Sequence, residues 1–268
     1  MDLSRFSVNC SIIFTELPLL DRAQAAASAG FSAVEFWWPF ASASPEANEL
    51  DNFVRSIGDA GVSLSGLNFF AGDMAAGDRG ILSALARGSE FNDNVAVIRH
   101  LADVTGCRVF NALYGNRLSD ESPEAQDQVA LERLSDLASF TDATGAAVVI
   151  EPLSAVADYP LLTAAQAVTV IDNLHESGAT TKVQLLADLY HLAVNNDDVS
   201  NVIASYAPYI GHVQIADAPG RNEPGTGELP IGAWLKELTA VGYSGLVGLE
   251  YRPLTSSVES FHSLSTLS

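Results

Sequence analysis

Four oxygen-bearing side chains stand at the ends of apolar runs: Glu151 after AAVVI, Asp188 after VQLLA, Gln214 closing GHVQ, and Glu250 after LVGL. They are separated by 37, 26 and 36 residues, close to one strand-plus-helix unit each. If the four runs are neighbouring strands, the four side chains converge at one end of a sheet. Three carboxylates brought together away from water cannot all stay ionised without a counter-charge. A divalent cation is the simplest one, and an all-oxygen set suits a hard ion, Mg2+ or Mn2+, rather than zinc. The competing reading is that each acid caps the helix after it or pairs with an arginine. For one acid at a strand end the two readings are evenly matched; for four on consecutive strands the metal is favoured. His191, three residues past Asp188 in DLYH, falls where it could face the same end and touch a substrate, with a structural role as its alternative.

Positioning such groups takes a repeated scaffold. Strand-like runs fall near 4–10, 32–36, 62–68, 107–113, 146–151, 183–188, 210–215 and 246–251. Between them lie amphipathic patterns such as ELDNFVRSIGDAG, EFNDNVAVIRHLADVTG and AWLKELTAVG. Gly30, Gly61, Gly106 and Gly242 stand at helix C-caps, and Pro230 at the start of a helix. Eight such units predict a single (β/α)8 TIM barrel over residues 1–268, with its chemistry at the C-terminal ends of the strands. Period-two alternation puts Val149, Leu186, His212 and Gly248 one layer below the four candidate ligands. His212 then reads as a hydrogen-bonded core histidine, and Glu35, ending the second run, as a partner behind the site or a minor substrate contact. A doubly wound sheet is disfavoured, because no GxGxxG, GKS or GKT follows a strand.

Composition excludes several functions. With 13 basic and 33 acidic residues the net charge is −20, which repels phosphate backbones and anionic membranes. Nucleic acid and membrane partners are therefore not expected, and small molecules and cations are. Lysine occurs only at 182 and 236, the first at the wrong end of a strand and the second in a helical pattern, so a Schiff-base mechanism is set aside. Cys10 and Cys107 lie in apolar runs and read as buried thiols of a reducing compartment. The start of the chain shows no signal-like pattern, no window is long and apolar enough to span a membrane, and a cytoplasmic location is expected. Trp37 and Trp38 could line a pocket or a subunit contact, and aromatic loops read as exposed are compatible with a homo-oligomer.

The runs VEFWWPF (34–40), AGDMAAGDRGI (71–81), IEP (150–152), LLADLYH (185–191), GHVQIADAPGRNEPGTGE (211–228) and GLEYRP (248–253) resemble the hydroxypyruvate isomerase family, a branch of the xylose-isomerase-like barrels. The likeness runs nearly end to end. It implies isomerisation of a small hydroxy-oxo acid through a cis-enediolate, with the metal on Glu151, Asp188, Gln214 and Glu250. Glu151 and Glu250 would double as acid and base, and His191, Arg221 and Asn68 would contact the substrate. An arginine fork suits a carboxylate. The chain departs from the family in two places. EPLSAVAD carries Ser154 and a displaced Asp158, and LNFF at 67–70 stands where a His-Asn pair and Leu-Pro are common: Asn68 is retained, but Leu67, Phe69 and Phe70 would make the pocket wall more apolar. The departures leave open a 2-oxo-tetronate isomerase and, less favoured, a ketose 3-epimerase, whose metal set usually has histidine at the place of Gln214. A DNA-repair endonuclease is disfavoured by the five histidines and the charge of −20. A non-catalytic barrel is the bland alternative.

Overall fold

A computed structural model describes residues 3–267. Eight strands form the centre: β1 (Phe6–Asn9), β2 (Ala33–Phe36), β3 (Ser63–Asn68), β4 (Val109–Asn111), β5 (Ala147–Ile150), β6 (Val183–Asp188), β7 (Ile210–Ile215) and β8 (Val247–Leu249). Each pairs in parallel with the next, and β8 returns to β1 through Phe6↔Val247, Ser7↔Gly248 and Val8↔Leu249. The sheet is a closed barrel with no free edge, and helices follow the strands around it.

Strands one and four are shorter than the sequence suggests. Leu3–Arg5 winds into a 3-10 turn ahead of β1. At β4, Arg108 is drawn to the preceding helix, its Nη1 donating to the carbonyl of Ala102 at 2.8 Å. The helix ends follow the sequence signals. Gly30, Gly61, Gly106 and Gly242 all have positive φ, between 67° and 95°, as left-handed terminators must. Pro230 is the N-cap of Ile231–Ala240.

Alternation along the strands sorts two environments. Val8, Val34, Phe110, Val148, Leu185, Val213 and Leu249 belong to one apolar core with the surrounding helices. The alternate positions, among them Ser7, Asn9, Glu35, Asn111, His212 and Gln214, are buried polar groups. Burial of both sets explains why these strands read as short apolar runs broken by single polar residues. Lys182 immediately precedes β6 and Lys236 lies in Ile231–Ala240, neither at the C-terminal rim. Both cysteines are free and fully buried, and burial pushes the Cys107 thiol up to about 12. Among the described residues no helix is long and apolar enough to cross a membrane.

Candidate active site

Polar side chains end or directly follow six of the strands, at Asn9, Asn68, Asn111, Glu151, Asp188 and Glu250, while Glu35 and Gln214 are the next-to-last residues of β2 and β7. Asparagines orient two of the acids. Asn111 Nδ2 donates to Glu151 Oε2 at 2.7 Å, and Asn9 Nδ2 to Glu250 Oε2 at 2.7 Å. Asp188 caps Leu189–Val194, its Oδ1 accepting from the backbone N–H groups of Tyr190 (2.9 Å) and His191 (3.4 Å). Its Oδ2 faces Arg221 Nη2 at 3.4 Å, and the same Nη2 pairs with Glu250 Oε1. The capping and arginine-pairing reading thus holds for Asp188, and it uses only part of the carboxylate cluster.

Glu35 anchors the layer behind. Its carboxylate accepts from Ser7 Oγ at 2.8 Å and Gln214 Nε2 at 2.7 Å, and meets His212 Nε2 at 2.8 Å. Burial alone would raise this carboxyl, but His212 and the other donors overrule it and hold it below its usual range. His212 is the hydrogen-bonded core histidine expected. Because Gln214 spends its NH2 on Glu35, its amide oxygen is directed away from that carboxylate. Gln214 Oε1 and Glu151 Oε1 are both buried without a partner, a costly state that a bound cation would relieve. Gln214 lies in register with Asp188 on one side and Gly248 on the other. A Cβ at Gly248 would run into the Glu35 carboxylate and come within 2.8 Å of Gln214 Cγ, so only glycine leaves these two groups room.

The donor set fits a hard divalent ion, with oxygens from Glu151, Asp188, Gln214 and Glu250 available. Glu151, Asp188 and His191 also bring one potential ligand atom each within 4.8 Å of one another. His191 is better placed as a hydrogen-bond donor. The Ser154 backbone N–H donates to its Nδ1 at 3.0 Å, with Ser154 Oγ at 2.7 Å. A nitrogen accepting an N–H carries no proton, so the neutral ring holds its proton on Nε2, which faces Asp188 Oδ2 at 3.7 Å. Burial lowers His191 to about 4, keeping it neutral.

Charge repulsion marks the site. Burial first, then Glu250 and Asp188, hold Glu151 well above the carboxylate range. Burial raises Glu250 to about 7, with Arg221 opposing and Asp188 adding to the rise. Groups whose folded pKa exceeds the unfolded value stabilise the protein below the unfolded value and lose that contribution as pH rises through the folded one. Metal-free protein should therefore lose stability between about pH 4.5 and 7 through Glu250, and Glu151, also raised, adds a loss of the same sign as pH rises. His191 has the opposite slope between about 4 and 6.5. Thermal unfolding of wild type and Glu151→Gln across pH 5–8 isolates the glutamate, since His191 is common to both. The variant should show the shallower fall, and equal slopes would refute a raised Glu151.

A cavity of about 560 Å³ opens over this rim, lined among others by Trp37, Asn68, His191, Arg221, Glu151 and Glu250. The loop after β7 delivers Arg221. Fully buried Asp217 accepts from the N–H groups of Ala218 (2.8 Å), Gly225 (2.7 Å), Gly227 (2.9 Å) and Leu229 (3.0 Å). This closes the loop and holds Arg221 at φ +57°, a conformation few non-glycine residues adopt. Gly225 and Gly227 thus shape the loop through their N–H groups.

Three expectations need correction. Leu67 and Phe69 do not line this cavity but are buried in the core, Phe69 stacking on Phe91 at 6.0 Å, and Phe70 lines a neighbouring groove. Asp158 is exposed and contributes its backbone carbonyl to Arg117, while Ser154 takes the place at the site. Trp37, Trp38 and Phe40 are half-buried, not exposed; Trp37 lines the cavity, whereas the Trp38 indole donates to the Ser42 carbonyl at 2.8 Å beside the groove. Asn9, Asn111 and Asp217 were not singled out from sequence. Asn9 and Asn111 carry the same signal as the acids, a polar residue ending an apolar run.

A closed parallel barrel with acids gathered at its C-terminal rim defines a class of enzyme, and the sequence places the chain within it. Residues 23–266 match the family model described as xylose isomerase-like TIM barrel, and the chain belongs to that family. A Streptomyces coelicolor relative, provisionally named a hydroxypyruvate isomerase, is 49% identical over 93% of this chain and 91% of its own. The hydroxypyruvate isomerase of Escherichia coli is 31% identical over 94% and 95%, and the 2-oxo-tetronate isomerase of Cupriavidus necator 32% identical over 94% of each. Among solved structures, one from Brucella melitensis described as an AP endonuclease of family 2 superposes with a TM-score of 0.87 at 30% identity, covering 98% of both chains.

Proposed function

We propose that this chain is an isomerase of small hydroxy-oxo acids that moves a proton between two adjacent carbons, with hydroxypyruvate and tartronate semialdehyde as the leading pair. The observation that carries the proposal is the placement of Glu151 and Glu250. Both are buried at the floor of one cavity, each is oriented by an asparagine, and both are held above the ordinary carboxylate range. Carboxyl groups shifted toward neutrality are suited to taking and returning protons near pH 7. Relatives that are isomerases along nearly the whole chain support the same class.

Glu151, Asp188, Gln214 and Glu250 would hold an Mg2+ or Mn2+ ion, which supplies Lewis-acid stabilisation of negative charge developing on the two substrate oxygens. The remaining work belongs to the side chains. One glutamate takes the proton from the hydroxyl-bearing carbon, leaving an enediolate. A proton returns to the neighbouring carbon, and the hydroxyl proton passes to the former carbonyl oxygen. His191 offers its Nε2–H to a substrate oxygen, Asn68 lines the same cavity, and Arg221 balances Asp188 and Glu250.

A four-carbon acid is the second reading, favoured by the Cupriavidus necator relative and by a cavity with room for it. An endonuclease role, as in the description of the Brucella melitensis structure, is disfavoured by the net charge of −20. The test is a coupled isomerisation assay on chelated protein with Mn2+ or Mg2+ restored. Its substrates are hydroxypyruvate, tartronate semialdehyde, 2-oxo-tetronate and a free ketose. Metal-dependent conversion of an acid is expected. Activity on the ketose alone would overturn the proposal in favour of an epimerase.

A further inference from the structure

Basic residues are outnumbered by acidic ones, 13 to 33, and their placement is informative. Three of the cavity-lining residues are arginines, Arg79, Arg221 and Arg252, in a chain with 13 basic residues and a net charge of −20. Arg221 is committed to protein carboxylates at the floor. Its Nη2 reaches both Glu250 and Asp188, and its Cζ lies 5.4 Å from the centre of the Tyr190 ring. The other two are not committed: among the described residues, neither Arg79 nor Arg252 forms an ion pair.

Arg79 is nevertheless held in place. Its Nη1 donates to the carbonyls of Met74 (3.0 Å) and Asp78 (2.6 Å). The loop that carries it is stapled from within. Asp73 Oδ1 accepts from the N–H groups of Ala75 and Ala76, each at 3.0 Å, and Asp78 Oδ2 accepts from Asp73 N and Arg87 Nη1, each at 2.8 Å. Gly80, at φ +104°, packs against the Leu113 carbonyl where a Cβ would collide. A guanidinium fixed through backbone carbonyls keeps its full positive charge, because carbonyls do not neutralise it. Arg252 follows Glu250 by two residues, and its backbone N–H donates to the Arg221 carbonyl at 2.7 Å. That bond locks the backbone at the cavity wall and leaves the exposed guanidinium free.

We infer that Arg79 and Arg252 receive the substrate's carboxylate above the reacting carbons and make the site selective for acids over neutral sugars. The inference rests on the isomerase reading and assigns the anion to these two residues rather than to Arg221. The physical basis is charge. Arg79 and Arg252 are the two arginines lining the cavity that no protein carboxylate neutralises among the described residues, so they are the cationic groups it offers to an entering carboxylate.

The test reads binding without turnover. Mg2+-loaded wild type, Arg79→Ala, Arg252→Ala and the double variant are titrated by tryptophan fluorescence with glycerate, an unreactive hydroxy acid, and with glycerol, its neutral counterpart. Glycerate affinity should fall about tenfold in each single variant and about 100-fold in the double variant, as for charge-assisted hydrogen bonds. Glycerol affinity should not change. Arg252→Ala removes no side-chain hydrogen bond among the described residues, so it keeps the inference falsifiable if Arg79→Ala disturbs its loop. Glycerate affinity within threefold of wild type in Arg252→Ala and the double variant would overturn the assignment, as would equal losses for glycerate and glycerol. If the wild type isomerises no acid yet loses glycerate on substitution, the anchor stands and the proposed reaction falls.

Discussion

Glu151→Gln and Glu250→Gln should each lower kcat by roughly 10⁴-fold, the upper end of what a general acid or base supplies, while the protein remains folded. Glutamine keeps an acceptor for Asn111 or Asn9, so the hydrogen bonds that orient each side chain at 2.7 Å can persist. What disappears is the capacity to exchange a proton. Glutamine at 151 also removes a carboxyl that burial and the charges of Glu250 and Asp188 hold well above its usual range. Metal-free Glu151→Gln should therefore be at least as thermostable as wild type near neutral pH. Steady-state kinetics with a thermal unfolding scan on the same preparation check both parts. A kcat within tenfold of wild type in either variant would show that its glutamate does not transfer the proton.

Glu35→Ala should be the most damaging substitution outside the cavity. It strips the acceptor from Ser7, His212 and Gln214 at once and leaves a void where only glycine at 248 now fits. Removing one partner from a buried, charge-assisted network costs about 3–5 kcal/mol. The Gln214 amide would also lose the bond that turns its oxygen toward the rim. Supporting partners of metal ligands are worth about 10–100-fold in affinity. Urea unfolding should register the first effect, and Mn2+ titration of folded protein the second. Mn2+ affinity equal to wild type would separate Glu35, and with it Gln214, from the ion.

The barrel was legible because eight apolar runs, four helix-terminating glycines and the spacing of Glu151, Asp188, Gln214 and Glu250 all agree with one architecture. The acids were visible because a carboxylate is conspicuous at the end of AAVVI or LVGL. Asn9 and Asn111 occupy equivalent positions but carry no charge, so composition gave no reason to single them out. Ser154 holds the His191 ring partly through its backbone N–H, which has no signature in sequence. The LNFF segment misled because apolar residues next to a predicted pocket can equally face outward; pleating sends Leu67 and Phe69 into the packed core. Arg221 was expected to bind substrate as a free fork, and sequence could not show that its Nη2 spans Asp188 and Glu250.

Proton transfer by Glu151 and Glu250 is tested most directly by running the reaction in D2O. Chelated protein is reloaded with Mn2+ and given hydroxypyruvate, and the tartronate semialdehyde formed is trapped enzymatically as glycerate. Carbon-bound deuterium at the former carbonyl carbon is then read by NMR against an enzyme-free control. Acid–base isomerisation through an enediolate predicts metal-dependent deuterium at that carbon, and its loss in Glu151→Gln and Glu250→Gln. Product formed with its original hydrogen fully retained, as in a hydride shift, would contradict it.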